Sequence, residues 1–347
     1  MNEKVNTLSQ LSDALLPWFY KNSRDLPWRK DKEPYHIWLS EIMLQQTRVE
    51  AVKGYYDRFL AALPDIESLS CADDELLHKL WEGLGYYSRV RNLKKAAITI
   101  MEEHNGTFPQ NYEAVRKLPG IGDYTAGAVC SIAFDQKTPA VDGNVLRVFS
   151  RLTNDSTPID VPAMKKKTAE ALQKVYPDRA GDFTQALMEL GATVCGPNRK
   201  PDCKSCPCQD FCLGFYNNTA QDLPVKSAKK DRKQLDMTVL VLSCDGQYAL
   251  EKRENKGLLA GLWQFPNTEG FLDVAQVIAF LKEKGICVKD VLRQTERKHI
   301  FTHIQWNMRC FYMEVSNRCE IYEWLPSQKI ETEAALPTAF RMFWEEL

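Results

Sequence analysis

The sequence contains no run of about 18 apolar residues, the length that a helix needs to cross a bilayer, so we expect no membrane span. Its first residues include Glu3 and Asp13 and no long apolar core, which is not the pattern of a secretory signal peptide. Neither an internal repeat nor a low-complexity tract occurs. These absences argue against membrane and secreted proteins, and we expect a cytoplasmic one.

An excess of charge of one sign is also lacking. The 45 lysine and arginine residues and the 46 aspartate and glutamate residues give a net charge of −1. Bulk charge therefore gives no indication of a polyanionic partner. A protein with this balance that binds nucleic acid must concentrate its basic residues on one face.

Length and cysteine content are the positive features of the composition. A chain of 347 residues predicts about two domains, and 44% hydrophobic with 26% charged residues is ordinary for globular proteins. The 11 cysteines are not expected to form disulfides in a reducing cytoplasm. Five of them lie between Cys195 and Cys212, which indicates a local site.

The pattern of apolar residues predicts a helical domain over residues 1–215. Apolar residues spaced by three, four and seven predict one long helix from His36 to Leu60. Turn signals such as Asn105-Gly106 and Pro119-Gly120 separate the further helices. Those helices are predicted at Asp74–Glu82, Arg91–His104, Ala114–Lys117, Tyr124–Phe134, Val141–Leu152, Met164–Val175 and Gly181–Thr193.

A change of composition after Cys212 predicts a linker over residues 216–234 and a second domain, of α+β type, over residues 235–347. We interpret the linker as exposed chain, and its basic residues are Lys226, Lys229, Lys230, Arg232 and Lys233. Strands are predicted at 237–244 and 247–253, and one further strand over 299–315. A helix is predicted at Val274–Lys284.

Residues 118–127 read LPGIGDYTAG and predict two helices joined by a Gly-x-Gly turn. Gly120 and Gly122 permit positive φ and close backbone approach, and the free N–H groups that open the second helix form an anion site. That geometry suits a DNA phosphate, and the full string indicates a helix-hairpin-helix. About twenty residues later Asp142 precedes another helix in the string VDGN, where an aspartate by itself is usually an N-cap.

Four cysteines, Cys195, Cys203, Cys206 and Cys212, have the spacing C-x7-C-x2-C-x5-C. Thiolates clustered on one loop bind a soft metal ion or an iron–sulfur cluster, and four thiolates also suit zinc. The spacing alone leaves both open. Cys208 lies inside the last interval, where we prefer a bystander thiol over an alternative ligand.

These motifs, taken together, resemble the helix-hairpin-helix DNA glycosylase superfamily, which includes endonuclease III. The strings RDLPWR at 24–29, WLSEIMLQQTRV at 38–49 and GLGYYSR at 83–89 resemble its MutY-type adenine glycosylases, strongly over residues 10–215 and more loosely beyond. The resemblance implies a mainly α fold, with a six-helix barrel module, an iron–sulfur helical module and a C-terminal α+β Nudix-like domain. It also implies a [4Fe–4S] cluster on the four cysteines, although the family's usual first interval is one residue shorter.

The implied partner is duplex DNA with adenine opposite 8-oxoguanine or guanine, and the implied reaction is removal of that adenine. Glu41, on the apolar side of its helix, would be a general acid with a raised pKa that protonates adenine N7. Asp142, kept ionised near helix N–H groups, would stabilise the oxocarbenium-like sugar. Asn144 would orient Glu41, and Tyr124 would support the intermediate. Bifunctional relatives have at that position a lysine that forms a Schiff base, which a phenol cannot do, so a monofunctional enzyme is implied.

The adenine must leave the base stack to reach these groups. The residues that line its pocket by resemblance are Leu26, Trp28, Arg29 and Gln185. Gln45 and Tyr86 would fill or wedge the vacated stack, and core packing is the simpler alternative for Trp28 and Tyr86. In the cysteine loop, Arg199, Lys200 and Lys204 suit contact with phosphates.

Residues 261–266, GLWQFP, resemble the corresponding string of Nudix domains. A Nudix hydrolase needs clustered metal-binding glutamates on the following helix, and residues 273–286 lack them, so we infer recognition without hydrolysis. In the adenine glycosylases this domain reads 8-oxoguanine through a Phe-Ser-His loop. Phe301-Thr302-His303 matches that loop, with Thr in place of Ser.

Two other functions stay open from the sequence. One is an endonuclease III-like pyrimidine glycosylase with lyase activity, against which Tyr124 and the second domain argue. The other is a non-catalytic DNA-binding module that uses the hairpin alone, against which the pairing of Glu41 with Asp142 argues. We expect a monomer in the bacterial cytoplasm, associated with the nucleoid through DNA.

Overall fold

The computed structural model describes residues 8–197, 200–227 and 231–347. Backbone proximity divides them into two compact units. The first unit holds the described residues of 1–71 and 92–228, and the second holds residues 72–91 with the described residues of 229–347. The 72–91 segment (Ala72–Arg91) therefore clusters with the C-terminal chain, although it lies in the helical half of the sequence. Arg199, Lys229 and Lys230 lie outside the described residues.

Short helices separated by turns make up the chain as far as residue 216. They are α1 (Leu11–Asn22), α2 (Pro34–Leu44), α3 (Val49–Ala62), α4 (Ile66–Cys71), α5 (Asp74–Leu80), α6 (Ser88–Glu103), α7 (Tyr112–Lys117), α8 (Asp123–Phe134), α9 (Gly143–Leu152), α10 (Pro162–Gln173), α11 (Ala180–Thr193) and α12 (Leu213–Tyr216). Short 3₁₀ turns lie at Pro27–Arg29, Cys203–Ser205 and Gln209–Phe211. The helices predicted after residue 70 are all present, with ends displaced by three residues at most.

The single helix predicted over His36–Leu60 is wrong. Helix α2 ends at Leu44 and α3 begins at Val49. Between them Gln46 has a φ of 58°, a left-handed conformation that interrupts a right-handed helix. The apolar spacing continued across this break because both helices carry buried residues, so periodicity alone did not reveal it.

Helix α2 is buried on nearly every side. Tyr35 and every residue from Ile37 to Met43 are buried, which is expected of a helix in a protein interior rather than at its surface. Each large apolar side chain buried in this way stabilises the fold by roughly 1.5–3 kcal/mol. The same packing carries Glu41, in the middle of α2, into the interior.

The predicted hairpin lies between α7 and α8. Gly120 has a φ of 76°, and a Cβ there would lie 2.6 Å from Cβ of Asn92, so the turn needs glycine for both its conformation and its space. Gly122 differs, because its φ is −102° and it is the N-cap of α8 with no side-chain cap. Gly122 therefore supplies no side-chain acceptor to the first N–H groups of α8.

The C-terminal chain forms a mixed sheet. Its strands are β1 (Lys233–Cys244), β2 (Gln247–Lys252), β3 (Trp263–Gln264), β4 (Asn267–Glu269), β5 (Val288–Ile300), β6 (Ile304–Val315) and β7 (Glu323–Pro326). The order is β3-β2-β1-β6-β5, with β4 paired to β1 and β7 paired to β2. The central pair, β1 and β6, is parallel, and β5 is antiparallel to β6.

The strand predicted over residues 299–315 is also wrong in its first part. Phe301, Thr302 and His303 form the turn that joins β5 to β6, closed by a hydrogen bond of 2.8 Å from the Phe301 N–H to the Ile304 carbonyl. The alternation of apolar and polar residues continued through this turn, so one strand was predicted where two strands and a turn exist. A tight hairpin leaves little polar sequence between its strands, so the pattern did not show the break.

Helices cover both faces of this sheet. They are α13 (Val274–Glu283), α14 (Ser327–Thr332) and α15 (Thr338–Trp344). Met308 of β6 belongs to a core with Phe340 of α15, while Phe311, which lies on the opposite face of the same strand, belongs to a core with Val277 of α13. No helix in the described residues has the length and apolarity that a membrane crossing needs.

Candidate active site

Glu41 is a buried carboxyl group, with 5% of the residue exposed. The Tyr124 hydroxyl donates a hydrogen bond of 2.5 Å to its Oε2. Burial raises the pKa of Glu41 to about 7, and the nearby Asp142 carboxylate adds to this rise, while the Tyr124 hydrogen bond and the Arg29 charge oppose it. A carboxyl group with such a pKa can carry a proton near neutral pH, as a general acid requires.

Asp142 caps the N-terminus of α9. Its Oδ1 accepts a hydrogen bond of 2.7 Å from the Val145 N–H, and its Oδ2 accepts one of 2.7 Å from the Asn144 amide. Burial raises the pKa of Asp142, while those hydrogen bonds favour the ionised form and lower it. The expectation that Asn144 orients Glu41 is wrong, because its side chain holds Asp142 instead. The reason is local: Asn144 lies in the first turn of the helix that Asp142 caps.

Both carboxyl groups and Tyr124 line one cavity of about 510 Å³ within the first unit. The residues predicted for the adenine pocket all line it: Leu26, Trp28, Arg29 and Gln185. Gln45 lines it too and donates to the Thr125 hydroxyl at 3.3 Å. Trp28 also packs edge-on against Tyr56, at 5.5 Å between ring centroids, so its packing and pocket roles coincide.

Glu189 of α11 is a cavity residue that the sequence analysis missed. Its side chain is fully buried and accepts hydrogen bonds from Arg24 (2.7 and 2.9 Å) and Arg29 (2.8 Å). Burial raises the pKa of Glu189, but the two guanidinium groups outweigh it and hold the pKa below its usual value. The ionised Glu189 therefore fixes Arg29 at the cavity wall. A signal was present, since Glu189 lies one helical turn after the predicted pocket residue Gln185.

Comparison with known proteins shows which families the chain matches. Residues 39–178 match the family described as HhH-GPD superfamily base excision DNA repair protein, and residues 237–346 match the NUDIX domain family. Proteins named adenine DNA glycosylase are similar over most of the chain. The human one is 34% identical over 409 residues, covering 98% of this chain and 75% of the human protein. One from Buchnera aphidicola is 35% identical, covering 84% of this chain and 82% of that protein.

The chain belongs to the adenine DNA glycosylase family. An Arabidopsis thaliana member, 37% identical, is longer, and the match spans 57% of its length. Among solved structures, a thermostable thymine-DNA glycosylase is 29% identical with a TM-score of 0.56, covering 61% of this chain and 98% of that one. Endonuclease III in a non-covalent DNA complex, 22% identical with a TM-score of 0.53 over 62% of this chain, shares the fold. The predicted fold class, a helix-hairpin-helix domain followed by a Nudix-like domain, is confirmed.

The four predicted cysteine ligands line one small cavity in this family member: Cys195, Cys203, Cys206 and Cys212. Cys208 is fully buried but is not among the lining residues. Within the described residues, no three His, Cys, Asp or Glu side chains are grouped to hold a single metal ion. Lys200 and Lys204 are exposed beside the cavity cysteines. Four thiols at one cavity are a donor set that fits a soft metal ion or an iron–sulfur cluster.

Two buried arginines of α9 connect the cysteines to the carboxyl groups. Arg151 donates hydrogen bonds to Sγ (3.2 Å) and to the carbonyl (3.1 Å) of Cys195. Arg147 donates to the same carbonyl at 2.8 Å and to Oδ1 of Asn144 at 2.8 Å. Because Asn144 in turn holds Asp142, hydrogen bonds run without a break from the cysteine loop to Asp142.

Two further predicted DNA-facing residues meet in the second unit. Tyr86, which is 44% exposed, lies with its hydroxyl 3.1 Å from the hydroxyl of Thr302. Thr302 and His303 are exposed at the tip of the β5–β6 turn, while Phe301 packs edge-on against Trp306 at 4.8 Å. The structure thus brings together two motifs that are more than 200 residues apart in sequence.

Proposed function

We propose that this protein removes adenine paired with 8-oxoguanine or guanine in duplex DNA, by hydrolysing the N-glycosidic bond, in base excision repair. Membership of the adenine DNA glycosylase family supports an adenine-specific DNA N-glycosylase. The observation that carries the finer proposal is the buried Glu41, hydrogen-bonded to Tyr124 and sharing its cavity with Asp142. Two carboxyl groups in different environments are the arrangement with which most glycosidases cleave a glycosidic bond.

Glu41 acts as the acid in this proposal. With a pKa of about 7 it holds a proton for part of the time at neutral pH and can give it to N7 of the extruded adenine. Protonation converts the base into a better leaving group. The Tyr124 hydroxyl keeps the Glu41 carboxyl in one orientation inside the cavity.

Asp142 stabilises the positive charge that develops on the sugar as adenine leaves. Its oxygens are fixed by the Val145 N–H and the Asn144 amide, so no reorganisation is needed when the charge appears. Water then completes the hydrolysis.

Strand cleavage is not part of the proposed activity, because the position of Tyr124 supplies no amine for a Schiff base. The cavity lining does include one lysine, Lys165 on α10. Borohydride reduction during the reaction should therefore trap little protein on DNA, and Lys165→Ala should remove any trace that forms. Strong trapping by the wild-type protein would contradict the monofunctional mechanism, and its loss in Lys165→Ala would identify the amine responsible.

The second domain, over residues 235–347, would recognise 8-oxoguanine opposite the adenine through Phe301, Thr302 and His303. Thr302 and His303 are exposed and polar, as contact with a base edge requires. Helix α13 carries a single glutamate, Glu283, so it lacks the carboxylate cluster of a Nudix hydrolase. The catalytic domain would span residues 1–215, and residues 216–234 would link the two.

We propose that Cys195, Cys203, Cys206 and Cys212 hold a [4Fe–4S] cluster rather than zinc. The four thiols share one cavity, and they follow a helix-hairpin-helix domain, the position at which the family resemblance implies an iron–sulfur cluster. A bound cluster would tie the loop to α9 and could exchange one electron. A brown protein with visible thiolate-to-iron absorbance is expected, and a colourless, zinc-loaded protein would overturn the assignment.

The partner that follows is duplex DNA, bound by a monomer in the bacterial cytoplasm. Single-turnover incubation of the purified protein with duplexes containing A:8-oxoguanine, A:G, A:T and thymine glycol tests the proposal. We expect free adenine from the first two duplexes, identified by mass spectrometry, with 8-oxoguanine preferred. Release from thymine glycol with strand cleavage would instead show the endonuclease III-like activity, and DNA binding without base release would show a non-catalytic module.

A further inference from the structure

The Nudix-like string at residues 261–266 is not followed by the glutamate cluster that a Nudix hydrolase needs. Its backbone and side chains nevertheless contact another part of the second unit. We define the docking loop as residues Ala260–Trp263. The Trp263 indole N–H donates a hydrogen bond of 3.1 Å to Oε2 of Glu75, and the Ala260 carbonyl accepts one of 2.9 Å from Arg91. A Cβ on Gly261 would lie 3.3 Å from the imidazole of His78, so the loop is in close contact there too. All three contacts are with the 72–91 segment.

The same segment is held at a second place in the C-terminal chain. Glu82 accepts a hydrogen bond of 2.9 Å from the Leu336 N–H. Lys79 donates to the carbonyls of Ile330 (3.5 Å) and Ala334 (3.4 Å). The 72–91 segment therefore contacts the C-terminal chain at two places, the docking loop and residues 330–336, which explains why the two cluster together.

The attached segment ends in the turn that presents Tyr86. That turn is stiff: Tyr86 has a φ of 48°, and the Arg89 guanidinium donates to the Leu84 and Gly85 carbonyls while lying 5.6 Å from the Tyr86 ring centroid. A displacement of the segment on the docking loop is consequently transmitted to the Tyr86 hydroxyl, 3.1 Å from Thr302.

We propose that the docking loop positions Tyr86 against Thr302, and that Trp263 and Glu75 are thereby positioning residues for discrimination between 8-oxoguanine and guanine opposite the adenine. The Nudix-like string then serves as a receptor for the 72–91 segment rather than for a nucleotide. The inference rests on the proposed function, since it concerns the specificity of that reaction.

The hydrogen bond from Trp263 to Glu75 is the critical contact. Trp263 is 9% exposed, so its indole N–H has little access to water if Glu75 is lost. Glu75 also pairs with Lys252, but both side chains are substantially exposed, and such a pair contributes little. The variants that remove the indole bond are therefore Trp263→Phe and Glu75→Leu, while Glu75→Gln keeps an acceptor oxygen.

The test measures single-turnover adenine release by the full-length protein from A:8-oxoguanine and A:G duplexes. In Trp263→Phe and Glu75→Leu we expect the ratio of the A:8-oxoguanine rate to the A:G rate to fall about tenfold, while the A:G rate stays unchanged. A change of about tenfold corresponds to the loss of one hydrogen bond to a charged group. Glu75→Gln should restore the wild-type ratio. An equal loss on both duplexes would show a merely structural role and would overturn the inference.

Trp344→Phe is the matched control. Trp344 is buried to a similar degree (8% exposed), and its indole N–H also donates to a glutamate, Glu331. Glu331 is linked to the 72–91 segment through the charge of Lys79 and through Arg341, which also pairs with Glu82, and Trp344→Phe leaves all of these charges in place. The control should keep the wild-type ratio. If Trp263→Phe keeps it as well, the docking loop has no role in specificity. A wild-type protein that releases no adenine from either duplex would instead contradict the proposed function, so the two failures are distinguishable.

Discussion

Burying Glu41 should make the protein less stable as pH rises, by an amount that its pKa sets. The unfolded chain ionises this carboxyl near pH 4.5, whereas the folded protein holds its proton up to about pH 7. The folded state therefore binds more protons between these values and loses stability through that window. Below this pH window the burial of Glu41 costs no ionisation free energy, and above the window the full cost applies. At about 1.4 kcal/mol per pH unit, a pKa moved from 4.5 to about 7 corresponds to about 3 kcal/mol.

Glu41→Gln removes the ionisation and keeps the shape of the side chain. The free energy of unfolding of this variant, measured by urea denaturation, should rise relative to wild type by about 3 kcal/mol between about pH 4.5 and pH 8. The new amide can change the free energy of unfolding by a constant amount at every pH. The prediction concerns only how the difference between variant and wild type changes with pH. Glu113→Gln, an exposed glutamate in the same unit, is the control and should show no comparable trend. A stability difference that does not change with pH would refute the burial argument.

Three further outcomes are expected. Asp142→Asn should slow single-turnover adenine release by at least about a hundredfold. The affinity of this variant for an uncleavable adenine analogue in duplex DNA should stay within a few-fold of wild type. A near wild-type rate would contradict the electrostatic role of Asp142. Cys203→Ser should lose visible absorbance and iron content, whereas Cys208→Ser should retain both; the reverse result would exchange their roles. Glu189→Leu takes the carboxylate away from two partly buried guanidinium groups and should lower the free energy of unfolding by about 1–3 kcal/mol in urea titrations, and a neutral effect would show that water replaces the carboxylate.

Local sequence signals predicted most helices of the first unit because turn residues and caps mark their ends. Helix α9 is an example: the apolar pattern suggested a start at Val141, but the Asp142 cap places the first helical residue at Gly143. Breaks without such markers were missed. The turn at Gln46 uses an ordinary polar residue with positive φ, and the β5–β6 turn uses Phe301, so neither carries the glycine or proline that announces a turn.

The residues of the candidate site that lie in short sequence motifs could be predicted from the sequence. Glu41, Tyr124 and Asp142 each lie in a specific motif, and the structure brings all three to one cavity. Contacts between distant segments were not predictable, because packing of whole helices decides them. The Arg24–Glu189 pair joins residues 165 positions apart, and the Trp263–Glu75 bond joins residues 188 apart. Asn144 was assigned to the wrong carboxyl group for a different, local reason, since it lies in the first turn of the helix that Asp142 caps.

The most direct test of the central claim, that the buried Glu41 supplies the proton for base loss, is single-turnover adenine release from an A:8-oxoguanine duplex near neutral pH. We predict that Glu41→Gln lowers this rate by at least about a hundredfold, the lower end of what a general acid contributes, while Glu113→Gln leaves it unchanged. A Glu41→Gln protein that releases adenine at the wild-type rate would contradict the account.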